Sequence, residues 1–577
     1  MLKIIKILIL ILIFLISIFS WVSLDFLWIK NNFLKINSNF EFSKVLFFNI
    51  FSSIIIILFF FQKFFYWEKI TLIKNKFFYI FYFFLVLNTF LSYSFNFSFF
   101  WNPYKGHSFL MINNLFLLFI IFSNLWKNFS KKIIFSFILW TFFTSLIAIK
   151  EYYFPSFDYK DLSNRAFWSF WHPNLLSIYL LISIIFLYKK IFVEKKYFFS
   201  CFLIFIIFAL LLTKSALAIF IFILFNFYFF LKKYFVKNLI FSKEFLIFII
   251  SFIIFSFYFI YQIYPEKLSS FISRFFIWKT TLEIIFSNIK IFIFWWWIWT
   301  IHYFFWNFKS PELYIFENIW FNSDRAHNIF LQIFYNFWII WLGFFIYFLK
   351  NIFSQFKKNI YFEIFLVFLI FNFFNFSSIS SYLIIVFIIY KILEKDKFYE
   401  KINFRKIKLY KKIFIILSII FSIISLIFSF KYYKSETYTY KNNFLKASEI
   451  FPYNPNNFYA LWKYKKWLKI ENFKSQNYFL SKIINDKNLI NNCEELVWKF
   501  PYWENYFFCW ENIEKFTKNK KKAFEFYKKW LKKLPDLWNK NSIYYKNFLT
   551  KNFIQKQRFL NKKFSNLKEI LEKLKIK

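Results

Sequence analysis

The chain has 577 residues, 60% hydrophobic and 29% aromatic, with 75 basic against 30 acidic residues and a formal net charge of +45. Apolar runs of about 18 residues or more recur along its first three quarters, which excludes a water-soluble enzyme and indicates a polytopic membrane protein. The charge is lysine in short connections and in the tail, a topogenic pattern that argues against a nucleic-acid partner, and three cysteines without ligand spacing exclude a disulfide scaffold and a metal site.

In chain order, residues 4–22 form a first span; it has the outline of a signal peptide, but no small-residue cleavage site follows. Further spans are expected near 45–61, 77–95, 109–125, 133–149, 173–188, 198–212, 216–231 and 245–262. A long connection, 263–327, precedes spans near 328–348, 361–375, 379–393 and 412–430. The expected fold is all-α, a polytopic membrane bundle of about 12–13 transmembrane helices over 1–430. The connections at 62–76, 127–132, 189–196, 232–237, 350–358 and 391–412 are crowded with lysine, whereas 96–108, 151–171 and 375–378 carry little. By the positive-inside rule the N-terminus is cytoplasmic, and 151–171, 263–327 and the tail lie outside a cytoplasmic membrane.

The tail, 431–577, loses the membrane signature. ASEIFPYNPNNFYALWKYKKWLKI and KKAFEFYKKWLKKLPDLWNK each pair an amphipathic helix with a proline turn, and each has a tryptophan, Trp467 or Trp530, at the small-residue position of a helix hairpin. The expectation is an extracytoplasmic helical domain of tetratricopeptide (TPR-like) repeats. Cys493 and Cys509 are candidates for pairing there.

Glycine is nearly absent: 2 residues against 24 tryptophans, where average usage would give about 40 glycines. Membrane helices use glycine more than soluble ones do, to let backbones approach. Four of the five residues Trp295–Trp299 are tryptophan, at a turn, and Trp338 and Trp341 lie within a span. Many of these codons are therefore expected to be UGA, decoded as glycine in the source cell. The alternative is true tryptophan in an interfacial belt. The nucleotide sequence decides, since UGG at Trp295–Trp297 removes the idea.

Chemistry concentrates in the two external connections. Only five of the basic residues are arginine, Arg165, Arg274, Arg325, Arg405 and Arg558. Arginine's planar fork grips phosphate bidentately where lysine offers a point charge, so Arg165 and Arg274 are candidate pyrophosphate ligands. His327, beside Asn328, Arg325 and Asp324 at the start of a span, is a candidate general base, with Arg325 favouring its neutral form. His172 precedes Pro173 and reads as structural.

With tryptophan read as glycine, NRAFWSFWHPNLLSIYL (Asn164–Leu180) resembles the R-x-x-G-x-F-x-x-P-N segment of the O-antigen ligase and polymerase family. RFFIWKTTLEII with IFIFWWWIWT resembles its R-x-x-x-W segment and glycine-rich turn, and AHNIFLQIFYNFWIIWLGFFIYF (Ala326–Phe348) its H-N-x-x-L-Q helix. LLTKSALAIF is similar to its T-x-S-R-x-A stretch, but Ala216 replaces the arginine. The resemblance implies glycan transfer from a polyprenyl-pyrophosphate carrier to a hydroxyl of a lipid, protein or glycan acceptor, without metal or cofactor. It implies pyrophosphate binding by Arg165 and Arg274 and catalysis by His327; Asn174, Asn328, Asp324 and Arg325, beside these positions, are candidate supporting residues. Ligase, polysaccharide polymerase and protein O-oligosaccharyltransferase are not separable on these residues. A lipid-glycan flippase, the rival of another class, calls for charge at mid-membrane depth, which the spans scarcely contain. A non-catalytic membrane anchor for the repeat domain is a further alternative, and it leaves Arg165, Arg274 and His327 scattered.

Overall fold

The computed structural model describes residues 1–18, 40–66, 68–92, 95–100, 108–125, 127–154, 165–167, 170, 172–234, 265–287, 301, 305, 308–310, 313, 323, 325–354, 360–394, 399–403, 407–441, 443–451 and 525. The chain divides into two compact units. The first comprises Met1–Ile260, Ser287–Thr300 and His327–Ser481, the second Tyr261–Phe286, Ile301–Ala326 and Lys482–Lys577.

The first unit is a helical bundle. Its helices are α1 (Leu2–Ile18), α2 (Phe40–Phe65), α3 (Lys76–Phe90), the short α4 (Phe95–Phe99), α5 (Phe109–Asn124), α6 (Lys127–Tyr153), α7 (Pro173–Tyr188), α8 (Ser200–Leu212) and α9 (Ala216–Tyr234). After the second unit's α10 (Pro265–Phe286) it resumes with α11 (Ile329–Phe353), α12 (Ile360–Phe374), α13 (Ile379–Leu393), α14 (Leu409–Tyr440) and α15 (Phe444–Ile450). The bounds of α1–α3, α5–α9 and α11–α13 fall within about six residues of the apolar runs in the sequence; α4, α10 and α15 correspond to none, and α14 continues ten residues past position 430. Among the described residues four helical stretches, Lys44–Phe65, Phe129–Tyr153, Pro173–Val193 and Leu409–Tyr438, are long and apolar enough to cross a membrane; six shorter apolar helices accompany them.

The distribution of apolar groups suggests a bundle that meets lipid. On α14, Ile413, Ile416, Ile420, Ile423, Ile427 and Phe430 are 40–56% exposed, at a spacing of three or four residues. Ser418, Ser422, Ser425 and Ser429 lie buried on its other side. In water this helix would be inside out; against lipid the isoleucine row is at home and the small serines admit neighbouring backbones. Among the described residues the sheet is one antiparallel pair, β1 (Lys69–Ile73) with β2 (Tyr399–Asn403), registered Lys69 to Asn403, which ties the α2–α3 connection to the α13–α14 connection.

The helix that positions the site is α7. Fifteen of its sixteen residues are buried, Asn174 alone being half-exposed, as expected for a helix apolar on every side and packed against α6, α8, α9, α12 and α13. It starts cleanly because Pro173 occupies the first turn and the His172 side chain accepts a bond from the Asn174 N–H.

The second unit's described part is chiefly α10. Ser273, Ile277, Thr280, Thr281, Ile284 and Ile285 form its buried stripe, and the Ser310 N–H donates to Thr280 Oγ1 at 2.9 Å. The sequence treated 263–327 as one connection; a 22-residue helix occupies its first part, and its buried stripe is half polar, Ser273, Thr280 and Thr281, so that it carries no continuous apolar run. The tryptophan-rich turn expected at 295–299, the span expected near 245–262, the expected TPR-like tail from 452 on except Glu525, and Cys493 and Cys509 lie outside the described residues.

Candidate functional site

The site is built on an exposed helix end. The last carbonyls of α8 have no partner within their helix, and the segment at 165–167 supplies one. The Ala166 N–H donates to Leu212 O at 2.9 Å, and Arg165 Nε donates to Thr213 O at 2.8 Å. Arg165 Nη2 reaches Lys214 O at 3.3 Å and Asn174 Oδ1 at 3.4 Å. A cation against helix C-terminal carbonyls is favourable in itself, which gives this arginine a structural reason. Burial lowers its pKa from the ordinary 12.5, and it stays charged near neutrality.

Asn174 is the hub. Its Oδ1 also accepts from Ser215 Oγ at 2.9 Å, and its Nδ2 donates to Asn375 Oδ1 at 3.1 Å. Its N–H donates to His172 Nδ1 at 3.1 Å, so that nitrogen is unprotonated in this arrangement. Phe376, next to Asn375, then links two histidines: its ring lies 6.2 Å from that of His172 and 5.1 Å, edge-on, from that of His327. The connections before α7, α9, α11 and α13 thus meet in one place, and Arg165 and His327, 162 positions apart in sequence, join one cluster.

The backbone carries strain here. Among the described residues three non-glycine positions have positive φ, and two of them are at the site, Lys214 at 48° and His327 at 52°. Such conformations cost about 1–3 kcal/mol and gather at functional sites. At Lys214 the turn brings its carbonyl back to Arg165; at His327 it sets the imidazole just ahead of Asn328, which caps α11 by accepting from Phe330 N–H and Leu331 N–H at 2.9 and 3.1 Å.

A further cation lies beneath. Lys44, fully buried at the start of α2, sits with its ammonium 3.5 Å from the Phe170 ring centroid and 3.5 Å from Ser17 O at the end of α1. Ser380 Oγ donates to Ile16 O at 2.8 Å. Side chains near the site therefore satisfy the carbonyl ends of both α1 and α8.

The remaining expected residues are distributed as follows. Arg274 is half-buried on α10, and Arg325 is buried, its carbonyl accepting from Ser323 Oγ at 2.6 Å; both belong to the second unit. Asp324 lies outside the described residues. Ser215, Asn375, Phe376 and Lys44 were not singled out from the sequence. Ser215 had a signal, its place in the T-x-S stretch; the others are ordinary helix-end residues until the fold brings them together. Comparison with protein-family models, with curated proteins and with solved structures gives no match.

Proposed function

We propose that the chain is a membrane glycosyltransferase of the O-antigen ligase and polymerase type, moving a glycan from a polyprenyl-pyrophosphate carrier to an acceptor hydroxyl outside a cytoplasmic membrane. His327 takes the proton of the acceptor hydroxyl as its oxygen attacks the anomeric carbon. The bond to the carrier phosphate breaks, and the polyprenyl pyrophosphate leaves with its charge held by Arg165 and Arg274. The acceptor is a lipid, a protein or a growing glycan, and a repeat domain outside the membrane would favour a protein. The orientation, the helix count of about 12–13 and the TPR-like tail are parts of the same reading.

The observation that carries it is the meeting of the Arg165 and His327 connections around Asn174, Asn375 and Phe376. The hydrogen bonds of Arg165 sharpen the role of its fork. The Nε bond is short and anchors the side chain; the two Nη2 contacts, at 3.3 and 3.4 Å, are long and weak. An incoming phosphate can take the Nη1–Nη2 edge while Nε holds the guanidinium in place.

The test is transfer from a polyprenyl-pyrophosphate donor in membranes, donor retention being measured separately. Arg274→Lys is expected to lose most activity although charge is kept, because a point charge cannot span two oxygens. His327→Ala is expected to abolish transfer and leave donor retention intact, and Arg325→Lys to be mild. Wild-type behaviour of Arg274→Lys beside a dead Arg325→Lys would move the second fork to position 325. Should His327→Ala retain transfer, the base assignment is lost.

A further inference from the structure

A lateral cleft of about 290 Å³ opens in the first unit between α3, α5, α11 and α13. Its walls are apolar, with Phe78 and Phe81 of α3, Leu115 and Phe119 of α5, Phe348 of α11 and Val386 of α13 among them. It occupies the half of the bundle at the β1–β2 end, since it takes in the first turns of α3, the last turns of α11 and the second half of α13. The Arg165 cluster sits at the opposite end of α13. Among the described residues the polar groups lining the cleft lie at one end, where Asn75 Nδ2 donates to Tyr347 Oη at 3.2 Å and Asn351 Nδ2 donates to Tyr347 O at 3.0 Å. Those asparagines are flanked in sequence by Lys74, Lys76 and Lys350, all exposed. None of the three makes an ion pair with a described residue.

From this geometry we infer that the cleft holds one acyl chain of a phospholipid whose anionic headgroup lies on Lys74, Lys76 and Lys350. The wall chemistry selects the chain, because a cleft without polar partners along its length leaves water unsatisfied. A size near the lower end of small-molecule sites, about 300–1,000 Å³, fits one chain and not a whole lipid. The charge selects the headgroup: basic side chains at the end of an apolar groove between membrane helices attract anionic lipid. The lipid would wedge α11 against α3 and α5, at the other end of the helix that His327 and Asn328 begin. The inference rests on the membrane reading alone and is independent of glycan transfer.

The full-length protein, delipidated and titrated with phosphatidylglycerol or phosphatidylcholine, is followed by native mass spectrometry. One phosphatidylglycerol is expected to be retained about tenfold more tightly than phosphatidylcholine. The combined Lys74→Gln, Lys76→Gln and Lys350→Gln variant should erase that preference while still retaining a lipid. Val386→Trp, which fills the cleft, should lose the bound lipid of either kind; glycerophosphoglycerol, the headgroup without chains, should fail to compete. Equal retention of the two lipids by the wild type, an unchanged preference in the lysine variant, or competition by the chain-free headgroup would overturn the proposal. If Val386→Trp does not fold, the lysine variant, altered only at exposed positions, still decides it.

Discussion

Lys214 and His327 adopt a backbone conformation that glycine takes without steric cost, and each holds a carbonyl or a side chain where the site needs it. The left-handed region costs a side-chain-bearing residue about 1–2 kcal/mol, partly offset by the extra freedom glycine has in the unfolded chain, about 0.5–1 kcal/mol. Lys214→Gly is therefore expected to stabilise the protein by up to about 1 kcal/mol while keeping the carbonyl that Arg165 uses. Thermal melting in detergent reads this directly, and a drop in midpoint would mean that the Lys214 side chain contributes more than the strain costs. Trp140 poses the glycine question in a packed setting. Its ring centroid lies 3.5 Å from that of Phe14, tilted by 33°, whereas relaxed aromatic pairs keep about 4.5–7 Å. Truncating a well-packed tryptophan costs about 3–5 kcal/mol; relieving an overpacked one returns about 1–3 kcal/mol. Trp140→Gly should be nearly neutral or stabilising if the source cell reads this codon as glycine. A loss of several kcal/mol would mark a true tryptophan.

At the scale of elements, serine and asparagine do the work that glycine does in other membrane bundles. On α5, Asn114 Nδ2 reaches Ser53 Oγ of α2 at 3.3 Å and Ser425 Oγ of α14 at 3.2 Å, while Ser422 Oγ donates to Asn114 Oδ1 at 3.1 Å. Tyr82 Oη of α3 donates to Asn113 Oδ1 at 2.6 Å and accepts from Ser418 Oγ at 3.0 Å. All these groups are buried. Single interhelical hydrogen bonds in membranes average about 0.6 kcal/mol, so Asn114→Ala should cost about 1–2 kcal/mol and not unfold the bundle. Ser422→Leu should cost more than Ser422→Gly, through about 1–3 kcal/mol of overpacking, because small size matters there more than the hydroxyl. Unfolding in mixed micelles compares the three. These elements were legible to different degrees. Hydropathy marked α5, α7, α12 and α13 closely, since nearly every residue of these helices is apolar. It missed α10, whose polar residues made a helix look like a connection. Proline and the residues beside it disclosed the start of α7, a local matter; Asn375 and Phe376 were invisible because their role exists only once α12 and α13 fold back on α7.

For the whole molecule, the two ends of α13 provide a test of orientation. Asn375 and Phe376 precede it, and β2 follows it, so reporters placed after Phe376 and after Asn403 should fall on opposite sides of the membrane. With the N-terminus cytoplasmic, the second reports inside and the first outside; the reverse would turn the proposed site towards the cytoplasm and remove an external transferase. The pairing of β1 with β2 has a consequence of its own for biosynthesis. Lys69 leaves the ribosome some 330 residues before its partner Asn403, which at about 5–20 residues per second means a wait of roughly 15–70 s. Throughout that interval an edge strand with free N–H and C=O groups stands open, guarded by Lys69 and Lys74 against pairing with another chain. The ladder can close only after α13 has been made, so the fastener between early and late parts of the bundle is among its last contacts, and nascent chains truncated before Tyr399 carry that edge unsealed.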